Sequence, residues 1–274
     1  MVQRRHAGTA PPVWVSQNFL TSARTIQRLI RNTTLSSRDH VIEIGPGKGH
    51  ITGRLMQSCR QVTAVEVDQK LYDRLLDKFR GAENLDLHHR DFLKWDLPAS
   101  GSYKIFSNIP FCITTNILQK LALCKNPPAE AWLIMEKGAA KRFMGTPRES
   151  LRSLMLKPVF DLKIVYHFRR EDFHPKPGVD VVMLHLKRKA QPDVPPCQRD
   201  AYERFVATGL REGKCGLGRM LGPGRLAKAL GMSGMGHGFT PGETLYIQWL
   251  CLFRCCREQA SSHAAGRKFA GRRP

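Results

Sequence analysis

Long apolar runs are missing from this sequence. No stretch approaches the roughly 20 apolar residues that a bilayer-spanning helix needs, so no such helix is expected. The opening MVQRRHAGTAPPVWVSQ lacks the apolar core of a secretory signal. Its first ten residues hold Arg4, Arg5 and His6 and no acid, which is short for an organelle presequence. Paired cysteines are missing too. Cys59, Cys112, Cys124, Cys197, Cys215, Cys251, Cys255 and Cys256 form no Cys-x-x-Cys unit. That removes the usual spacing of a zinc site, and no metal is expected. Eight thiols in 274 residues are also too sparse for a secreted disulfide scaffold, so reduced thiols in a cytoplasmic protein are expected. Acids are scarce: 23 Asp and Glu face 44 Lys and Arg, a net charge of +21 with a pI near 10.1. Such an imbalance points to a polyanionic partner, nucleic acid before an anionic membrane. The plainer reading is a merely basic enzyme. What the chain does have is apolar content of 42%, enough to bury a core. Its length suits one large domain, or a large one and a small one.

Apolar runs alternate with amphipathic stretches. Residues 40–44 (HVIEI) predict a buried strand running straight into GPGKG. A helix follows, with Ile51, Leu55 and Met56 on one face. Strands are predicted at 61–67, 85–89, 103–107, 131–136, 160–168 and 179–187, and helices at 69–79 and 114–124. This order implies an α/β fold, a mostly parallel sheet with helices on both faces. The last two strands lack a long helix between them, which predicts an antiparallel edge. Residues 187–200 (KRKAQPDVPPCQRD) hold three prolines and mixed charge and read as a linker. Helical patterns follow at 201–211 and 243–256. The expected organisation is a basic arm at 1–13, a catalytic domain at 14–187, a helical domain at 188–256 and a disordered basic tail at 257–274.

The strongest local signal is Glu43-Ile44-Gly45-Pro46-Gly47-Lys48-Gly49, at a strand end and a helix start. Glycine belongs where backbone turns sharply and approaches a ligand closely. In an open parallel sheet, ligands bind at the carboxyl ends of the strands. The next strand ends in Val65-Glu66-Val67-Asp68, and 21 residues separate Gly45 from Glu66, as a strand–helix–strand unit requires. A carboxylate there can accept both hydroxyls of a ribose. Asp91-Phe92 follows the third strand, where a carboxylate can accept from an adenine amine and an aromatic ring can cover the base. Asn108-Ile109-Pro110-Phe111 closes the fourth strand on the same edge. A side-chain amide oxygen and a carbonyl, from Ile109 or Pro110, can hold the two N–H groups of an exocyclic amine. That frees its lone pair from the ring. Pro110 stiffens the turn, and Phe111 offers a stacking face for a flipped base.

These residues resemble the ribosomal RNA adenine N6-dimethyltransferase superfamily, and most of all its Erm branch, over roughly residues 14–256. Glu43 to Gly49 resembles the S-adenosylmethionine-binding turn of class I methyltransferases. Gln17-Asn18-Phe19-Leu20 looks like the family's N-terminal cofactor motif, and Phe173 to Asp180 like its F-x-P-x-P-x-V signature. The resemblance implies a Rossmann-like class I methyltransferase sheet with a small C-terminal helical, RNA-binding domain. It implies S-adenosyl-L-methionine as cofactor, held by Gln17, Asn18, Leu20, Gly45, Gly47, Glu66, Val67, Asp91, Phe92 and Asn108. Catalysis would fall to Asn108, Ile109, Pro110 and Phe111. Ile109 favours the Erm branch, whose motif reads N-I-P-[YF], over the housekeeping branch, which reads N-L-P-Y. Phe111 in place of Tyr keeps the stacking face and loses a hydroxyl.

The implied function is methylation of one adenine of 23S rRNA, protein-free or in early assembly, by a monomeric bacterial cytoplasmic enzyme. Resistance to macrolides, lincosamides and streptogramin B would follow. Two alternatives stand: a housekeeping small-subunit (16S-type) dimethyltransferase, and a non-enzymatic nucleic-acid-binding relative.

Overall fold

The computed structural model of the chain describes residues 18–236 and 238–269, with side chains to residue 257. Gln17 and the basic arm at 1–13 lie outside the described residues. The elements run in the order β1 (Phe19–Leu20), α1 (Ala23–Arg31), β2 (His40–Ile44), α2 (His50–Ser58), β3 (Gln61–Glu66) and α3 (Gln69–Lys78). Then come β4 (Leu85–His89), β5 (Lys104–Asn108), α4 (Thr114–Leu123), β6 (Glu130–Glu136), α5 (Lys137–Phe143) and α6 (Leu151–Leu156). The last are β7 (Phe160–His167), β8 (Phe173–His174), β9 (Val181–Arg188), α7 (Arg199–Leu221), α8 (Pro223–Met232) and α9 (Tyr246–Phe269).

Seven strands form one sheet in the order β4-β3-β2-β5-β6-β9-β7. The pairs β2·β3, β2·β5, β3·β4 and β5·β6 are parallel. β9 runs antiparallel to β6, with Glu130 opposite Lys187 and Glu136 opposite Val181. The central strands read as near-continuous apolar runs because both sheet faces are covered. Val41, Val62, Phe106, Trp132 and Ile134 pack with Ile26 and Leu29 of α1 and Leu55 of α2. The alternate residues Ile42, Val65, Ile105 and Leu133 are equally buried on the other face. Outermost β7 alternates buried or half-buried with exposed residues, the period of a strand with one open face.

Three differences from the sequence reading have physical causes. A two-stranded antiparallel ribbon, β1 with β8, pairs Phe19 with His174 and Leu20 with Phe173. Two-residue strands carry no periodicity for a sequence to reveal. The segment Lys141–Leu162 groups with the C-terminal helices, whereas the sequence predicts one domain through residue 187. Amphipathic α6 is the reason, since its Leu154 is buried among Val194, Tyr202 and Phe205. Third, α9 carries helix through 257–269, where the sequence predicts a disordered tail. That stretch holds Arg, Glu, Gln, Ala and Lys, good helix formers, together with Ser261, Ser262 and Gly266, which are poorer ones.

The chain divides into two compact units. One comprises the residues up to Ala140 with Lys163–Arg188, and the other Lys141–Leu162 with the residues from Lys189 onward. The second unit has its own core, built on Tyr202, Phe205, Trp249 and Phe253. Within it α7 is broken at Gly213, whose φ of 61° leaves the helical region just after the predicted helix end at 211. Among the described residues no helix is long and apolar enough to cross a membrane. No group of three or more His, Cys, Asp or Glu gathers there to hold a metal ion. None of the eight cysteines is joined in a disulfide.

Candidate active site

The site lies at the carboxyl ends of β2, β3, β4 and β5. β2 ends at Ile44, and the chain turns through Gly45, Gly47 and Gly49 at φ of 64°, 57° and 71°. These left-handed values favour glycine. Gly45 N–H donates to the Val65 carbonyl at 2.9 Å, and the Ser107 hydroxyl donates to the Ile44 carbonyl, so β3 and β5 hold the turn from both sides. Space is limiting at Gly47, where a Cβ would lie 2.6 Å from Cε1 of Phe19. From α3, Lys78 Nζ donates to the carbonyls of Lys48 at 2.7 Å and Gly49 at 3.3 Å.

Two acids of this region are buried. Glu66 Oε2 accepts from Gly47 N–H at 3.0 Å, while Oε1 accepts from Val67 N–H at 2.9 Å and Asp68 N–H at 3.0 Å. Its carboxylate is thus locked to the glycine turn. Loss of water still pushes its pKa up, against those amide bonds. Glu43 is 1% exposed, and its Oε2 has no hydrogen-bond partner. Burial pushes this carboxyl up to about 8, with Glu66 adding to the effect and Thr52 and Lys78 opposing it. Beside Glu66, Val67 is 50% exposed, an apolar side chain left facing water. Asp91 Oδ1 caps its own turn by accepting from Leu93 N–H at 2.9 Å. Phe92 is buried, stacked on Trp95 at 6.3 Å with Lys120 Nζ 5.3 Å from its ring centroid.

A cleft opens between Asn18, Phe19, Gly45 and the tetrapeptide Asn108, Ile109, Pro110 and Phe111. Asn108 Nδ2 donates to the Asn18 carbonyl at 2.7 Å. A carbonyl only accepts, so this bond fixes which end of the amide is which, and it leaves Oδ1 as an acceptor. Ile109 N–H donates to the Ile134 carbonyl at 3.2 Å. The Pro110 carbonyl accepts from Ile113 N–H at 3.2 Å, at the start of a short 3-10 turn that carries Phe111.

The cleft therefore unites Asn18, Gly45 and the tetrapeptide. Gly47, Glu66, Val67, Asp91 and Phe92 lie outside its lining. Leu20 does too: its side chain is 2% exposed and belongs to the core with Ile26, Leu29 and Phe173. Only its backbone is left to face a ligand. Phe19 is a lining residue that the sequence reading did not single out as a site residue. Its position beside Asn18 was the available signal. Lys48 Nζ lies 5.0 Å from its ring centroid.

A parallel sheet with a glycine turn after its first long strand, an acid ending the next strand and an Asn-Ile-Pro-Phe turn after β5 defines a Rossmann-like class I methyltransferase. The comparisons with known proteins narrow this class. Residues 14–221 match the family described as ribosomal RNA adenine dimethylase, and the chain belongs to that family of S-adenosylmethionine-dependent methyltransferases. An rRNA adenine N-6-methyltransferase of Limosilactobacillus reuteri is 40% identical over 191 residues, 70% of this chain and 77% of the relative. One from Lysinibacillus sphaericus is 39% identical over the same shares. Among solved structures, the 23S rRNA methyltransferase ErmE is similar with a TM-score of 0.76 and 29% identity, over 87% of this chain and 99% of that one. A dimethyladenosine transferase from Plasmodium falciparum shares the fold, with a TM-score of 0.65 and 20% identity over 86% and 98%.

Proposed function

We propose that the protein uses S-adenosyl-L-methionine to methylate N6 of one adenine in 23S rRNA. The observation that carries this reading is the Asn108 side chain, whose Nδ2 is committed to the Asn18 carbonyl while Oδ1 remains an acceptor in the cleft. The similarity to ErmE favours the 23S substrate over a 16S-type one.

The residues fit such a cofactor. Glu43, two residues before Gly45, holds a buried oxygen without a hydrogen-bond partner, a polar atom that a ligand group at the glycine turn could satisfy. Exposed Val67, next to Glu66 at the end of β3, offers an apolar face that suits a nucleoside. When bound, the cofactor supplies an electrophilic methyl group. Gly45 and Gly47 would let backbone approach it, with Gln17, Asn18 and the Leu20 backbone on the other side. Glu66 would accept from the ribose, Val67 and Phe92 would flank the base, and Asp91 would accept from its amine.

Asn108 Oδ1 and the Ile109 carbonyl would take the two N–H groups of the target adenine. Ile109 is the better choice for the second acceptor, because the Pro110 carbonyl already serves the 3-10 turn. With both N–H groups held, the amine lone pair turns out of conjugation toward the methyl. Phe111 would stack on the flipped base. The amine becomes more acidic as the bond forms, so no strong base is needed.

Residues 188–256 would hold RNA, and a monomer in the bacterial cytoplasm would suffice. The modified ribosome would resist macrolides, lincosamides and streptogramin B. Labelled cofactor incubated with protein-free 23S and 16S rRNA tests the reading, followed by primer extension to map the adenine. Label is expected in 23S rRNA. Label in 16S rRNA alone would assign the housekeeping reaction, and label in neither would favour a non-enzymatic relative.

A further inference from the structure

α1 carries Arg24, Arg28 and Arg31, four and three residues apart, which places them on one stripe of the helix. All three are exposed, while Thr25, Ile26, Leu29 and Ile30 bury the opposite face. Several cations elsewhere in this unit meet acids, Arg80 with Asp77, Arg170 and Lys137 with Asp180, and Lys176 with Glu171, while others such as Arg38 and Arg74 meet none among the described residues. α1 itself contains no acid, and no ion pair among the described residues involves its arginines. Arg24 stands in the first turn, where the helix dipole favours an anion, so helix stability does not account for it.

Arg28 is held without being neutralised. Its Nη2 donates to the Tyr166 hydroxyl, and its guanidinium carbon lies 5.4 Å from the centre of that ring. An arginine positioned by an uncharged aromatic keeps its full charge and loses little freedom on meeting a phosphate. The stripe is also fixed to the cleft wall. Only Thr21 and Ser22 separate α1 from β1, and Ser22 caps the helix through Thr25 N–H at 3.2 Å. Tyr166 packs on Phe168 at 4.8 Å and Phe168 on Phe173 at 5.2 Å. Phe173 pairs with Leu20 in the ribbon, whose Phe19 lines the cleft with the preceding Asn18.

We propose that this arginine stripe on α1 is a contact surface for the phosphate backbone of the RNA substrate. It rests on the RNA-methylating function above for the identity of its partner. The surface reads charge and positions the strand, and it carries no base specificity.

The test is the salt dependence of RNA affinity for the full chain and for R24E/R28E/R31E, on protein-free 23S and 16S rRNA. Each phosphate contact contributes about 0.7–0.9 to the slope of log K against log salt, so the triple variant should lose about 2–3 units of slope. Its Kd should rise roughly tenfold or more near 0.1 M salt. Methyl transfer at saturating RNA and affinity for S-adenosylmethionine should stay as in the parent. R38E/R74E/R80E makes the same change in net charge away from α1 and should lose less slope. The neutral R24Q/R28Q/R31Q keeps the question answerable if charge reversal disturbs folding. An unchanged slope in both α1 variants, or an equal loss in the control, overturns the proposal. A parent protein that binds RNA through α1 but transfers no methyl would sink the function and leave this surface standing.

Discussion

Asn108 divides its work between two atoms. Nδ2 is spent on the Asn18 carbonyl, and Oδ1 remains an acceptor, in the proposed reaction for the target amine. Asn108→Ala should therefore abolish most transfer, with a loss on the order of 10²–10³-fold, while cofactor binding survives in part. Single-turnover rates alongside calorimetric cofactor binding would check this, and transfer at the parent rate would contradict the assigned centre. In the proposed reaction Phe111 offers its face to the base, so Phe111→Ala should weaken capture of the base by about 1–3 kcal/mol, and Phe111→Tyr should be mild. Glu43 predicts a pH effect on stability. Its carboxyl titrates near the ordinary 4.5 in the unfolded chain and near 8 in the fold. Below the lower value the stabilisation is fully present. As pH rises between the two values only the unfolded chain releases the proton, so stability falls by up to about 1.4 kcal/mol per pH unit. Urea midpoints should be lower at pH 8 than at pH 5, and Glu43→Gln should flatten most of that difference. A Gln variant as steep as its parent would refute this.

At the scale of elements, the glycine turn and the ribbon behave as one wall. Gly47→Ala combines a left-handed φ with a Cβ pressed on the Phe19 ring. It should destabilise the protein by about 1 kcal/mol or more and raise the KM for the cofactor more than it lowers kcat. Thermal unfolding and initial rates would separate the two effects. The elements that were legible before the structure share a cause. β2, β3, β5 and β6 are buried on both faces and read as apolar runs, and the two glycine-rich and Asn-Ile-Pro-Phe turns sit where those runs stop. The elements that were not legible are short or depend on distant partners. β1 and β8 have two residues each, and α6 finds its core among residues more than 30 positions later. The same logic holds in the site. Asn18, Gly45 and Asn108 to Phe111 carry chemistry in their residue types and converge in one cleft. Phe19 is an ordinary apolar residue until the fold sets it against Gly47. Leu20 looks like part of the same motif, yet its side chain belongs to the core.

At the scale of the molecule, the positive charge is unevenly spread. Residues 187–274 hold 16 Lys and Arg against 6 Asp and Glu, a denser excess than in the longer stretch before them. RNA affinity should fall steeply with salt, roughly 10³–10⁵-fold between 50 and 200 mM if 6–10 phosphates are contacted. Filter binding across that range would measure it, and a flat response would assign the charge to another task. The ribbon of β1 with β8 has a consequence in time as well as in space. Phe19 is fixed only once His174 has been made, although the rest of the cleft is complete by Phe111. A chain emerging from the ribosome therefore carries the Asn-Ile-Pro-Phe turn long before it can close the wall beside it. The wall beside the cleft closes only when strand 8 returns to strand 1.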